Sequence, residues 1–562
     1  MKLSSIPQVV RNARRWTEIV RILSRYGLAD WISRLNVDFI KDHLKDVDGQ
    51  ALARQSAEKR IRLALTELGP TFIKLGQLLS TRPDLVGPEL ADELRQLQTN
   101  VRADRPEYVR DVIETELGQP IDELFQEFDE TPLASASIGQ VHRARLQSGE
   151  TVVVKVQHEK IHKKVQDDLE VLSGLATLAE RIPEFAHYRP SATVVDISRM
   201  IRRELDFGRE ERNLLQFAAR FENDPTVRVP RPYTEYSTSR VLTMEMLTGH
   251  KFTEPEQLVA DGYDLQQVAR RGADLYLRMI FADGFYHADP HPGNLLLLPG
   301  NVIGLLDFGL VGRIEERLRE DIEQMLLAVA HEDVVLLTSI IKRVGAVPVE
   351  LEHDSLEAEL ADFIGIYTAQ PLDQISLSAA LKDLMRIIHN YSIELPAQMG
   401  LLIKAIITLE GTVRLICPNF NMMEVMQPFQ QQARLRRLSP QNQYRKYRRI
   451  YFELEKLAEV LPGRTMDILD QVQRGKFDIH LEHRRLGPSV NRLVVGMVAS
   501  ALFLSSALLL AHQVPPLLFA TEPLLGMFKI SILGLAGFCV SGWLTIRLLR
   551  AIGKSGHLDR KE

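Results

Sequence analysis

Cysteine is almost absent from this chain. Its two cysteines, Cys417 and Cys539, stand far apart in 562 residues, with no CxxC pair or other ligand spacing. That excludes a disulfide scaffold and a CxxC zinc or redox site, and nothing points to an oxidising compartment. A basic excess is missing too, since 69 Lys and Arg face 74 Asp and Glu for a formal net charge of −5. The chain therefore lacks the global positive field of a nucleic-acid binder, and no nucleic-acid partner is expected. With 45% hydrophobic and 25% charged residues, it falls outside the collagen-like and disordered classes. Residues 1–35 have no apolar core stretch, so a secretory signal is missing as well. The length allows three or four units of about 150 residues. A mean hydropathy of −0.09 looks like that of a soluble protein. That average conceals an uneven distribution.

No formal charge occurs from 493 to 521, and residues 493–511 read LVVGMVASALFLSSALLLA. At ~1.5 Å per residue, this run nearly spans a hydrocarbon core about 30 Å thick. A second run, 530–546, is bounded by Lys529, Arg547 and Arg550. It is short, but Lys529 can snorkel and extend it. Adjacent runs charged only at their edges predict a transmembrane helix hairpin, the alternative being a buried core hairpin. Arg484, Arg485 and Arg492 precede the first run and Arg547, Arg550 and Lys554 follow the second, while 512–528 carries only Glu522. The positive-inside rule places both flanks and the bulk of the chain in the cytoplasm.

Two other stretches are basic. Arg11, Arg14, Arg15, Arg21, Arg25 and Arg34 interleave with Val9, Val10, Ile19, Val20, Ile22 and Leu23, as on an amphipathic helix. Its polar face is either solvated or touches anionic lipid; a mitochondrial transit peptide is less economical. Residues 434–449 hold seven Arg and Lys and no acid, with Tyr444 and Tyr447 among them. Lying ahead of an apolar run, they suit anionic headgroups or an ordinary charged helix.

An apolar helix with a polar seam is expected after Gly69. Pro70 suits its first position and Pro83 closes it. Thr71, Lys74, Gln77 and Thr81 form one stripe, with Phe72, Ile73, Leu75, Leu78 and Leu79 around it. Such a helix should be buried, and a lysine there needs a carboxylate or phosphate partner unless it snorkels to water.

The strongest pattern is central. Strands at 141–146 and 151–156 with a Ser148-Gly149 turn form a hairpin. It follows the small-residue loop Ala134, Ser135, Ala136 and Ser137, which a phosphate could approach closely. Lys155 ends an apolar strand, the position from which a kinase lysine reaches the α/β-phosphates. Residues 241–247, VLTMEML, then Gly249, suit a hinge whose backbone, at Glu245 and Leu247, pairs with a base edge. Segment 285–309 reads FYHADPHPGNLLLLPGNVIGLLDFG. Asp289 and Asn294 match the kinase catalytic-loop spacing HRDxxxxN, and a hairpin at 295–306 delivers Asp307 of a DFG triplet. Transfer of a γ-phosphoryl group requires Mg²⁺ on hard oxygen ligands, here Asn294 and Asp307. It also requires a carboxylate that orients the acceptor, here Asp289. Alternatively, His287, Asp289 and His291 alternate and could hold a transition metal on a strand. That would leave the DFG hairpin unexplained, so structural hydrogen bonding is the better fate for both histidines.

The remaining acids lie at 202–213, RRELDFGREERN. Asp206, Glu210 and Asn213 share a helical face. Glu204 is about 200° from Asp206 around a helix, so the two serve different partners or the helix is irregular there. Glu210 is a candidate partner for Lys155, and Glu204 for Lys74.

Together these motifs resemble the UbiB family of atypical, protein-kinase-like proteins, over nearly the whole chain. Lys74-Leu75-Gly76-Gln77 is similar to the family's KxGQ motif, Ala134 to Ser137 to its alanine-rich loop, and Glu204-Leu205-Asp206 to its ExD motif. Lys155, Glu210, Asp289, Asn294 and Asp307 fall at its strand lysine, helix glutamate, catalytic loop and metal aspartate. The resemblance implies an α+β, bilobal protein-kinase-like fold with an N-terminal helical extension and a C-terminal transmembrane helix hairpin. The corresponding regions are the extension at 1–120, lobes at 121–248 and 249–430, a basic helical linker at 431–488 and two spans within 489–550. It implies ATP and Mg²⁺ between the lobes, with a regulatory cover of Lys74, Gln77, Glu204 and Asp206 over the cleft, Lys74 meeting Glu204 or Asp206. It further implies a two-span bacterial inner-membrane protein supporting ubiquinone biosynthesis, with membrane lipid, prenylated quinone intermediates and biosynthetic enzymes as partners. No APE-like segment follows the DFG, which favours an ATPase or small-molecule kinase over a protein kinase acting in trans. A nucleotide-switched scaffold is the non-enzymatic alternative.

Overall fold

The computed structural model describes residues 13–27, 55–97, 103–180, 189–253, 255–371, 374–426, 486–518 and 530–553, with a few positions between 444 and 466. The chain divides into two compact units, Met1–Gln443 and Tyr444–Glu562.

The first unit begins with helices α1 (Ala13–Arg25), α2 (Ala57–Leu68), α3 (Pro70–Leu79), α4 (Pro83–Val86) and α5 (Pro88–Leu94). α3 is the expected apolar helix. Pro70 supplies its first residue, and Thr71, Phe72, Ile73, Leu75, Gly76 and Leu78 are buried. Gly76 permits this packing, because a Cβ there would lie 2.3 Å from Leu97 Cδ1 and 3.0 Å from Leu65 Cδ1. α1 packs the apolar residues of the basic N-terminus against protein. Trp16, Ile19, Val20 and Ile22 are buried, and α1 shares a core with Phe72 and Leu169. Arg15 donates to Asp168 Oδ1 (2.6 Å) and to the Leu68 carbonyl (2.8 Å). The apolar face of α1 is therefore spent on protein, while Arg21 and Arg25 of its polar face stay exposed; Val9, Val10, Arg11 and Arg34 lie outside the described residues. So does the basic stretch 434–449, apart from Tyr444 and Arg448.

α6 (Pro106–Leu117) leads into a five-stranded antiparallel sheet. Its strands are β1 (Phe125–Phe128), β2 (Ala134–Ser135), β3 (Gly139–Leu146), β4 (Thr151–Gln157) and β6 (Val241–Glu245), in the order β1-β3-β4-β6 with β2 on β3. Strand alternation sends Val152, Val154 and Val156 into a core with Val109, Val112 and Ile113 of α6. Lys155 necessarily points to the opposite face. Following α7 (Ile161–Ala179) and α8 (Pro190–Glu204), α9 (Phe207–Phe221) meets it there through Phe207 and Glu210. The acidic segment is two helices rather than one: α8 ends at Glu204, and Asp206 caps α9 by accepting from the Gly208 N–H (3.0 Å).

A second sheet orders β5 (Val227–Arg228), β10 (Val302–Leu305), β9 (Leu295–Leu298) and β7 (His250–Lys251) as β5-β10-β9-β7. Separately, β8 (Phe285–His287) pairs antiparallel with β11 (Val311–Arg313), His287 opposite Val311. This pairing clamps the DFG segment, between β10 and β11, beside the catalytic loop that follows β8. Helices α10 (Leu265–Leu277), α11 (Glu316–Ala330), α12 (Val334–Val344), α13 (His353–Thr368), α14 (Leu377–Asn390) and α15 (Ala397–Ile416) surround these strands in one large core.

The second unit contains α16 (Leu486–Ala511) and α17 (Ile532–Gly553), joined through the strand pair β12 (Leu517–Leu518) and β13 (Ile530–Ser531). Windows at Arg492–Ala511 and Ile532–Arg550 are long and apolar enough to cross a membrane. The helices meet through Phe503 and Phe538, with ring centroids 5.1 Å apart. Leu493, Leu504, Trp543 and Leu549 remain largely exposed, which is not the pattern of a buried core hairpin. Cys417 and Cys539 are both free.

Candidate functional site

Three charged side chains meet on the cleft face of the first sheet. Lys155 Nζ donates to both carboxylate oxygens of Glu210 (2.9 and 2.8 Å) and lies 3.7 Å from Asp307 Oδ1. Burial works against the Lys155 ammonium, but Asp307 and Glu210 outweigh it and hold it above its ordinary value. Lys155 in turn holds Asp307 well below the usual carboxylate range, against burial and with help from Lys74 and the Gly309 N–H. Burial pushes Glu210 up to about 7 while Lys155 pulls it back. Asp307 has φ +55°, a left-handed conformation that an aspartate tolerates at some cost and that its surroundings must impose. Asn213 donates to the Phe308 carbonyl (3.0 Å) and fixes the triplet to α9.

The catalytic loop is held from three sides. Asn294 Nδ2 donates to the Asp289 carbonyl (3.1 Å) and to Asp289 Oδ2 (3.3 Å). His287 is fully buried; its Nε2 lies 2.9 and 2.8 Å from the Leu306 and Asp307 carbonyls, and its Nδ1 accepts from the Asp289 N–H (3.4 Å). His291 Nδ1 accepts from the Gly293 N–H (3.0 Å). With these nitrogens engaged, the transition-metal alternative fails, and no group of three His, Cys, Asp or Glu suited to a metal occurs among the described residues. The third support is α15, where Thr412 Oγ1 donates to the Pro290 carbonyl (2.7 Å) and Lys404 Nζ is 3.3 Å from Asp289 Oδ1. Sequence reasoning missed Lys404. Its signal was available, a lone lysine in the apolar run GLLIKAII, which is the signal that singled out Lys74.

The cover residues divide. Lys74 Nζ pairs with Glu204 Oε2 at 2.8 Å. Burial opposes its charge, while Glu204, then Asp307 and Asp289, raise its pKa, so it sits in the field of all three carboxylates. Asp206 turns away to cap α9 and pair with Arg212 (3.3 Å). Gln77 donates to the Leu97 carbonyl (3.1 Å), which ties the extension to itself.

The loop and hinge residues also differ among themselves. The Ala136 N–H donates to the Gly139 carbonyl (2.9 Å), and His158, bound to Asp104, lies 2.8 Å from the Ala136 carbonyl. Ala134 and Ser135 pair with β3, Ser137 is buried, and the buried Ser135 Oγ has no partner among the described residues. At the hinge, the Glu245 N–H is taken by the Arg231 carbonyl (2.8 Å) and its carboxylate by Arg228 (2.6 Å). Leu247 lies past the end of β6, with no backbone hydrogen bond among the described residues.

These residues fit Mg²⁺ and a nucleotide. Asn294 commits its amide nitrogen to Asp289, which leaves its amide oxygen to serve as a hard ligand, and Asp307 is held ionised. One or two hard oxygen ligands completed by phosphate oxygens is the usual Mg²⁺ arrangement in phosphoryl-transfer sites.

Comparison with known proteins decides the family. An ABC1 atypical kinase-like domain matches residues 96–340, a UbiB helical domain 360–421 and an ABC1/UbiB kinase-like C-terminal domain 478–554. A probable protein kinase UbiB of Xylella fastidiosa is 32% identical over 88% of this chain and 91% of its own length. The chain belongs to the UbiB family. A UbiB-family relative in Azotobacter vinelandii, also named a probable protein kinase, is 33% identical over 83% of this chain and 86% of its own. An uncharacterized protein from the hydrogenase 1 5′ region of Clostridium pasteurianum is 31% identical over 97% and 99%. The structure of a Mycobacterium tuberculosis Rv3197–erythromycin complex aligns with TM-score 0.43 and 23% identity over 65% of this chain and 93% of that one. Within the UbiB family the match places the Lys155–Glu210–Asp307 cluster in the kinase-like region and Lys404 in the helical domain.

Proposed function

We propose that this UbiB-family chain is a membrane-anchored ATPase or small-molecule kinase that uses Mg-ATP to act on or mobilise lipid intermediates of ubiquinone biosynthesis. The observation that carries the reading is the meeting of Lys155, Glu210 and Asp307 beside Asp289 and Asn294. In this reading Lys155, oriented by Glu210, binds the α/β-phosphates, and the 134–137 loop lies over them. The open backbone of Leu247 takes the base edge. Asn294 and Asp307 hold Mg²⁺, which when bound neutralises charge on the phosphate oxygens. Asp289 orients the acceptor hydroxyl or water and takes its proton.

The exposed apolar surfaces of α16 and α17 support membrane anchorage, since apolar area of that extent needs a cover. Their flanking charges support a cytoplasmic bulk, and the bacterial inner membrane is the proposed location. The biosynthetic enzymes that modify prenylated intermediates are the proposed partners.

The test is phosphate release from Mg-ATP by the full chain in liposomes, with and without anionic lipid, for wild type and Asp307→Asn. Lipid-responsive turnover that disappears in Asp307→Asn is expected. Transfer of phosphate to an added protein would favour the protein-kinase alternative. Binding without turnover, together with complementation by Asp289→Ala, would favour the scaffold.

A further inference from the structure

The candidate catalytic carboxylate is paired with a cation that the kinase-like region does not contain. Lys404 lies within the residues matched by the helical domain, 360–421, and outside those matched by the kinase-like domain, 96–340. Its Nζ is 3.3 Å from Asp289 Oδ1, and its side chain is only 12% exposed. Elsewhere α15 is largely apolar, with Leu402, Ile403, Ala405 and Ile406 buried beside it. Gly400, Lys404, Thr408 and Thr412 recur every fourth position and so form one stripe. Thr412 holds the catalytic loop at Pro290. At the other end, Gly400 meets the segment just past α3 so closely that a Cβ would lie 2.1 Å from the Thr81 carbonyl oxygen. The stripe thus runs from the cover to the catalytic loop, with Lys404 between them.

Phosphoryl transfer spreads negative charge over the oxygens of the moving group, and a fixed cation beside that group stabilises it. The loop from Asp289 to Asn294 contains no Lys or Arg. Of the lysines at the cleft, Lys155 is held by both oxygens of Glu210, and Lys74 is paired with Glu204. Among the described residues Lys404 has Asp289 as its partner, and Asp289 is the group that must turn to an acceptor. A nearly buried ammonium costs too much to be placed in an apolar helix without an anion to serve.

We propose that Lys404 binds the terminal, transferred phosphoryl group of the nucleotide. This rests on the reading of the cleft as a Mg-ATP site. The test is equilibrium binding of Mg-ATP and Mg-ADP to the full chain in lipid nanodiscs, for wild type, Lys404→Met and Lys404→Arg. Met suits the apolar surroundings of α15, and Lys404→Gln gives the same comparison should the Met variant not fold. Removing one charge-assisted hydrogen bond to the phosphoryl group should lower Mg-ATP affinity by roughly 10- to 100-fold in Lys404→Met. Mg-ADP affinity is expected to stay unchanged, and Lys404→Arg to keep most of the preference for ATP. Equal weakening for both nucleotides, or no weakening for either, overturns the proposal. Unchanged Mg-ATP binding with reduced turnover also overturns it, since Lys404 would then act only by positioning Asp289. Wild type that binds neither nucleotide sinks the Mg-ATP reading itself, an outcome distinct from the others.

Discussion

Removing the Lys74–Glu204 pair probes how the N-terminal extension is fastened to the kinase-like region. The two groups are 2.8 Å apart, with side chains 23% and 11% exposed. Unit charges at that distance attract by ~6 kcal/mol at an effective dielectric of about 20. Desolvation of both groups cancels much of this. Exposed pairs retain about 0–1 kcal/mol, and stripping one partner from a fully buried pair costs about 3–5 kcal/mol. The partial exposure places this coupling between those limits, at about 1–3 kcal/mol. Lys74→Met and Glu204→Gln should therefore each lower stability, and the double variant should be no worse than the more damaging single one. The assay is a double-mutant cycle on thermal unfolding of the full chain in nanodiscs, at low and high salt. The coupling should survive added salt, because screening acts weakly on groups this enclosed. Single effects that add to within about 0.5 kcal/mol would refute the reasoning.

Two further expectations concern buried carboxylates. Burial lifts Glu210 from 4.5 in the free group to about 7, so between those values the folded chain holds a proton that the unfolded chain has released. Stability should fall as pH rises through that window and level off above it, and Glu210→Gln should flatten the profile; a wild-type profile already flat there contradicts the assignment. Asp84, wholly buried, pairs with Arg82 (2.8 Å) and accepts from the Leu395 N–H (3.1 Å), latching α4 to the α14–α15 connection. Asp84→Ala strands both partners and should cost about 3–5 kcal/mol, seen as a lower melting temperature and faster proteolysis of the extension; a cost below about 1 kcal/mol would remove the latch from the account.

Residues in short local patterns were the legible ones. Lys155, Asp289, Asn294 and Asp307 lie on or beside hairpins whose turns and alternation are written into the sequence, so their spacing located groups that the fold does bring together. The seam on α3 showed that Lys74 needed an anion. The roughly 200° between Glu204 and Asp206 separated their partners and named Glu204 for Lys74, while the helix break at Leu205 that turns Asp206 into a cap came only with the fold. Glu245 suited a hinge by pattern, yet Arg228 and Arg231 come from a neighbouring segment to occupy it. Lys404 carried the signal of a lone lysine in an apolar run, but its partner was not legible, because the contact with Asp289 joins distant parts of the chain through packing of α15. The arginines of α1 suggested an external partner because Asp168, which takes Arg15, is equally remote.

The central claim is that the cleft between the two sheets is a Mg²⁺-nucleotide site. Calorimetric titration of the full chain with ATP, with and without Mg²⁺, for wild type and Asp307→Asn, tests it most directly. The account predicts Mg²⁺-dependent binding in wild type and disappearance of that dependence in Asp307→Asn. Binding with the same Mg²⁺ dependence in both proteins would contradict it.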